Sequence, residues 1–307
     1  MIRRDRTRPS THAPGRAHKL RHGSPLLVAA LVGVGASGSD GGRAEHVSIA
    51  PSIIGLDHLP TAVKNLDDAT AAYRRLGFAL KPGRLHENGI RNSHVKFEDG
   101  SGIELISPLG TPADDLSKHY LEFLKRGDGP ASLGLHARNI EAAQRALRSA
   151  GFKYNDDSGA LDDPLLVFLF LVEDNRSPTD RPEHFAHANS SLAMTGVWLA
   201  LDDVGREHLG RLLTSLGAMR STTNVLAPDS IGAEVFTVQN GRVVVLPSRL
   251  QLQEGRPIIG AEFRVHEVAR TACVRRMDEL SPSASEAPGR CLVTPSEAHG
   301  LWLEFHE

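Results

Sequence analysis

The chain has 307 residues, 40% of them hydrophobic and 23% charged, with a net charge of −2. That is globular composition, long enough for two ordinary domains or several small repeats. Residues 1–24 carry seven Lys/Arg and one Asp, a balance of +6, which leaves about −8 for the rest; this argues against a nucleic-acid-binding folded part, as 5% aromatic content argues against stacking platforms for single strands.

The basic stretch Arg3 to Arg21 precedes an apolar run from Pro25 to Val34 and the small residues Gly35-Ala36-Ser37-Gly38. This is the order of a secretory signal, and the run is too short to span a bilayer. Export is the expectation; the alternative is an N-terminal extension on a cytoplasmic protein. Cys273 and Cys291 are the only cysteines. They lack zinc spacing, so two buried thiols are expected, with one bridge the alternative in an exported protein.

After the tail and linker, residues 1–51, the first unit spans 52–111. Ile54–Val63 reads as a strand, Asn65 caps a helix ending at Leu76-Gly77-Phe78, and Gly100-Ser101-Gly102 leads into the strand Ile103-Glu104-Leu105. On the first strand Leu56, His58, Pro60 and Ala62 share one face by alternation. Seventy-four positions on, the punctuation repeats: Asn65 maps to Asn139, and Gly77-Phe78 to Gly151-Phe152. An Asn stands at each N-cap and a Gly past each helix end. This second unit, with a linker helix over Asp114–Lys125, occupies 112–188. A third, 189–250, opens on the strand Val197–Leu201, starts a helix at Asp202-Asp203, and has a hairpin signal at Asn240-Gly241. A fourth, 251–307, has a strand at Ile258–Val265, a helix over Val268–Leu280, a Ser/Pro/Gly-rich loop over 281–290, and a last strand in which Glu304 lies four residues after Gly300, as Glu104 lies four after Gly100. Repeats that cannot bury a face alone must pair with a neighbour.

Taken alone, His58 reads as an imidazole ligand or as a structural histidine hydrogen-bonded across the sheet. Glu104, inside the apolar run Ile103–Ile106, needs a partner, because an unpaired buried carboxylate is costly; a metal, a salt bridge or solvent would serve. His94 alternates with Val95 on a half-buried strand. His184 and His187 read as loop histidines.

The run Leu56-Asp57-His58, the helix ending in Leu76-Gly77-Phe78, the segment Asn92 to Gly100 leading into Ile103-Glu104-Leu105, and the ending Pro295 to Phe305 together resemble the vicinal oxygen chelate superfamily, and within it the glyoxalase-like domain proteins. The resemblance covers roughly residues 52–307. It implies an α+β fold of tandem β-α-β-β-β modules pairing into curved-sheet cups. It also implies a divalent ion (Zn, Fe, Mn or Ni) held by His58 and Glu104, with Glu173 or His136 completing the set. Glu104 and Glu173 would be the catalytic carboxylates, Asn92 a substrate-orienting amide, and His94, Trp198 and Arg138 a lining for the ligand. The implied activity is that of a lyase, isomerase or dioxygenase acting on a small molecule with adjacent oxygens. A non-catalytic small-molecule binder of the same fold is the alternative. The later copies lack matching ligands: Ser132 stands where the second module would place its His, and Val245 where the third would place its Glu. A homodimer is left open.

Overall fold

A computed structural model describes residues 51–155, 159–173, 175–227, 229–268 and 290–307. The signal-like segment, the helix read over Val268–Leu280 (apart from Val268), nearly all of the 281–290 loop and Cys273 lie outside these residues. Among the described residues, no helix is long and apolar enough to cross a membrane.

The first module begins with β1 (Ile53–Leu56) and β2 (His58–Ala62), separated by Asp57, then α1 (Leu66–Arg75), β3 (Lys81–Leu85), β4 (Ile90–Lys96) and β5 (Gly102–Pro108). Asn65 caps α1, its side chain accepting from the amides of Asp67 and Asp68, and the two carboxylates of the first turn suit the helix dipole. The helix α2 (Asp115–Leu124) follows, closed by a capping box between Asp114 and Ser117. The second module holds β6 (Gly129–Pro130), β7 (Leu133–Ala137), α3 (Ile140–Ser149) and β8 (Leu169–Val172). Asn139 caps α3 as Asn65 caps α1. Gly77 and Gly151 both adopt positive φ, 88° and 85°, just past their helices, which is why both copies keep glycine there.

The two modules pair through their first strands. β1 runs antiparallel to β7 and β2 antiparallel to β6, while β5 lies parallel to β2 and β8 parallel to β7. The resulting curved surface has the order β3-β4-β5-β2-β6 on one side and β1-β7-β8 on the other.

The C-terminal half repeats the plan with β9 (Ser191–Leu201), α4 (Asp203–Ser215), β10 (Met219–Ala227), β11 (Asp229–Val238), β12 (Gly241–Pro247), β13 (Ile258–Val265), β14 (Arg290–Val293) and β15 (Trp302–His306). Its seven strands are ordered β10-β11-β12-β9-β13-β15-β14, with β9 and β13, the first strands of the two modules, antiparallel at the centre. The strand β10 was not legible in its polar sequence, Met-Arg-Ser-Thr-Thr-Asn; pairing with β11 along its whole length holds it extended. Cys291 is disulfide-bonded rather than a free thiol, which corrects the thiol expectation at that position.

One hydrophobic cluster joins the helix-facing sides of both halves, from Ile53 and Leu59 through Tyr73 and Phe78 to Phe263 and Phe305. The opposite, concave faces carry separate clusters. In the first half α2 lays Tyr120 and Leu124 over Ala62, Ile90 and Ile106. In the second half Trp198, Val244, Leu246 and Ile259 pack together.

Candidate functional site

The break at Asp57 shapes the site. The Asp57 amide donates to the Gly134 carbonyl at 2.9 Å, and its own carbonyl accepts from the Gly102 amide at 2.9 Å. Leu56 therefore stays in the helix-side core, while His58 and Pro60 face the concave side and line a cavity; strict alternation had put Leu56 on the concave face too. The His58 ring donates through Nδ1 to the fully buried Asp57 carboxylate. Its Nε2 faces Glu104 Oε2 at 3.4 Å, a charge contact longer than an ordinary hydrogen bond. Glu104 in turn accepts from Asn92 Nδ2 at 2.7 Å. The Asn92 amide oxygen is also used, accepting from the Arg84 amide at 3.0 Å. Asn92 is therefore a positioning residue for Glu104.

This arrangement fixes opposite charges. Burial alone would lower the His58 pKa, but the Asp57 hydrogen bond and the facing Glu104 carboxylate outweigh it and raise it to about 9. Burial would raise Glu104, but His58 and the Asn92 amide bring it down to about 2. At neutral pH the two form an imidazolium–carboxylate pair.

The cavity has a volume of about 1130 Å³. His58 and Glu104 give it one polar wall. Tyr120 and Phe123 of α2, Phe168 to Phe170 of the β8 region, and the loop from Ser248 to Pro257 close other sides. Arg256 belongs to the scaffold: its guanidinium donates to the carbonyls of Phe123, Gly127 and Asp128 and stacks over the Phe123 ring. Behind the His58 pair the concave face is plugged. His94 lies opposite Glu104 in register but does not line the cavity, and burial, more than the neighbouring His58 and lysine charges, lowers its pKa against the pull of Glu104. Lys81 and Lys96 share the Asp180 carboxylate, and Lys96 also donates to the Asn175 carbonyl at 2.7 Å. The Asn175 side chain lies 3.5 Å from His58 Nδ1 and donates to the Gly100 carbonyl at 3.2 Å. His187 bridges the Ala79 amide and the Lys96 carbonyl, a structural role. Asn175 and Asp180 carried no sequence signal, because they come to the sheet from a polar linker; Asp57 was visible in its motif and was given no role.

The remaining expected residues do not join the pair. Glu173 is exposed at the end of β8. His136 is half-buried in β7, outside the cavity lining. Beside the pair stands Phe170: its ring is edge-on to His58 with centroids 5.3 Å apart, and it lies over Gly134, where a Cβ would meet it at 2.9 Å. Trp198 is fully buried in the other cup, its indole donating to Glu262 at 2.6 Å. Arg138 is exposed and donates to Gln239.

That second cup is filled by its own side chains. A Cβ at Gly260 would strike the Trp198 ring at 2.5 Å, and one at Gly196 would strike the Glu262 carboxylate at 2.1 Å. Arg242 adds two bonds to Glu262, at 2.7 and 3.0 Å. Glu304, the counterpart of Glu104, is buried here beside Arg290, 3.3 Å away.

A catalytic divalent ion is ordinarily held by three protein donors with an open position. Among the described residues, no group of three His, Cys, Asp or Glu side chains converges. His58 and Glu104 supply two donors, and Phe170 and Gly134 stand where the neighbouring module faces them. The described donor set does not fit a three-ligand centre.

Residues 56–208 match the family model of a glyoxalase-like domain. No curated protein matches the sequence. Among solved structures, a xylose isomerase-like TIM barrel/4-hydroxyphenylpyruvate dioxygenase fusion protein aligns with a TM-score of 0.58 at 14% identity, over 84% of this chain and 49% of that one. The chain thus spans about half the length of that fusion protein. A mutant of 4-hydroxymandelate synthase from Streptomyces coelicolor aligns at 0.58 and 11% identity, over 83% and 92% of the two chains. A variant of homoprotocatechuate 2,3-dioxygenase from B. fuscum aligns at 0.54 and 15% identity, over 85% and 73%. At these identities the likeness is one of fold.

Proposed function

Because this chain carries a glyoxalase-like domain of the vicinal oxygen chelate type, we propose that it takes up a small molecule with two adjacent oxygens in its N-terminal cup, and that the His58–Glu104 pair recognises those oxygens directly. The observation that carries this reading is the 3.4 Å pair of opposite charges in the wall of a cavity of about 1130 Å³. That volume is at the upper end of, or beyond, the ordinary range for ligand pockets.

The chemistry follows from the two protonation states. A pKa of about 9 keeps Nε2–H of His58 on the ring at neutral pH, ready to donate to a ligand carbonyl or oxyanion. Glu104, held near 2, is an acceptor for the neighbouring hydroxyl. Asp57 fixes the ring orientation, Asn92 fixes the carboxylate, and Phe170 walls the pair on one side. If negative charge develops on the bound oxygen, the imidazolium stabilises it and can hand over its proton. A second reading, a divalent-metal-dependent lyase, isomerase or dioxygenase, is favoured by one observation: His58 and Glu104 each have the outer hydrogen-bond partner that metal-holding side chains usually have.

One experiment separates the two. Protein purified gently is assayed for bound metal, then titrated calorimetrically with vicinal diols, α-hydroxyketones and catechols, with and without chelator. Binding that survives the chelator and is lost in Glu104→Gln is the expected result. A near-stoichiometric ion that disappears in His58→Ala would overturn it in favour of the metal-dependent enzyme.

A further inference from the structure

The cavity is far larger than a pair of oxygens requires, and its walls are not uniform. His58 and Glu104 form one polar patch; from there Ile106, Tyr120, Phe123 and Phe168 present apolar surface. Three further lining side chains, Leu116 at 51%, Leu165 at 43% and Val167 at 63%, remain exposed to solvent. They come from two separate elements, α2 and the turn before β8, and both present partly solvent-exposed apolar groups to the same cavity. Exposed apolar side chains gathered at a cavity mouth mark a surface that a ligand completes.

Resting on the reading above, we infer that the ligand is an amphiphile: a head group with adjacent oxygens at His58 and Glu104, and an apolar chain that runs along Tyr120, Phe123 and Phe168 and reaches the mouth at Leu116, Leu165 and Val167. A compact polar metabolite would leave these walls wet. A chain of methylenes covers them, and each methylene removed from water strengthens binding by roughly threefold to fourfold.

The test uses 1,2-alkanediols with four, six, eight and ten carbons, below their aggregation limits, with 1-alkanols of equal length as controls, titrated into the full chain by calorimetry. The expected result is an affinity that climbs roughly threefold to fourfold per added methylene. A Leu116→Ser/Val167→Ser variant, altered only at exposed positions, is expected to lose the gain for the ten-carbon diol and keep the affinity for the four-carbon one. Diols that bind with no dependence on length overturn this inference and leave the head-group reading standing, as does a rim variant that binds the ten-carbon diol unchanged. Alkanols that bind as tightly as diols, with the same climb, support the chain site and overturn the head-group reading. Absence of binding by both series overturns both.

Discussion

Glu304 ties the stability of this protein to pH. Its side chain is 1% exposed, and among the described residues neither carboxylate oxygen has a hydrogen-bond partner; Arg290 approaches to 3.3 Å as a charge contact only. Burial first, and the charge of Glu262 second, raise its pKa from 4.5 to about 7, against the pull of Arg290 and Arg242. That rise corresponds to about 3 kcal/mol of differential interaction. The folded pKa lies above the unfolded one, so the folded state binds the proton more tightly. Stability is highest below the unfolded value of 4.5 and is lost as pH rises through about 7. About 2.5 kcal/mol of the loss falls between pH 5 and 8 by the same relation. Glu304→Gln, neutral throughout and nearly isosteric, removes this term. At roughly 2–4 °C per kcal/mol for a domain of this size, the melting temperature of the variant relative to wild type is expected to rise by roughly 5–10 °C on going from pH 5 to pH 8. Differential scanning calorimetry of both proteins at the two pH values reads this directly. Parallel behaviour of the two proteins would show that the Glu304 carboxylate is ionised without penalty, and would refute the buried, unpartnered placement.

Asp57→Asn is expected to lower the His58 pKa from about 9 toward its ordinary value of 6.5. The wild-type contribution is full below 6.5 and is lost as pH rises through about 9, so the variant loses stability mainly on the acid side of that window; a histidine NMR titration that leaves the His58 midpoint near 9 would contradict the pairing. Gly134→Ala places a methyl 2.9 Å from the Phe170 ring and 3.3 Å from Asp57 Cβ, and should destabilise by about 1–3 kcal/mol in denaturant unfolding. A loss under about 0.5 kcal/mol would mean that Phe170 does not lie over the strand. Trp198→Phe removes the indole donor to buried Glu262 and should lower stability by about 1–3 kcal/mol while leaving diol affinity within twofold; a large drop in affinity would return Trp198 to the ligand site.

Much of the fold was legible because its signals are local. Asn65 and Asn139 cap their helices, Gly77 and Gly151 end them at positive φ, and Ile258–Val265 is a strand throughout. Each follows from backbone chemistry within a few residues, so the 74-residue repeat of the punctuation repeats a strand, a capped helix and its glycine stop; among the described residues three strands follow α1 and one, β8, follows α3. The residues His58 and Glu104 were also visible as an imidazole and a carboxylate on two strands of one module; the parallel pairing of β2 with β5 is what brings them together.

What surrounds that pair was decided only by tertiary structure. Nothing near Phe170 in sequence says that its ring will rest over Gly134 beside His58, and nothing near Asn175 or Asp180 says that the linker will lie across Lys81, Lys96 and His58. The filling of the second cup by Trp198 and Glu262 is of the same kind: it depends on two glycines, Gly260 and Gly196, that leave space on strands brought together by the sheet. Hydrogen-bond caps act over a few residues, and the sequence alone determines them; alternation does so only until a tertiary bond breaks the strand, as the Gly134 and Gly102 bonds do at Asp57. Whether a cup is open, and which side chains complete its wall, depends on contacts between segments tens to more than a hundred residues apart, and packing alone decides that.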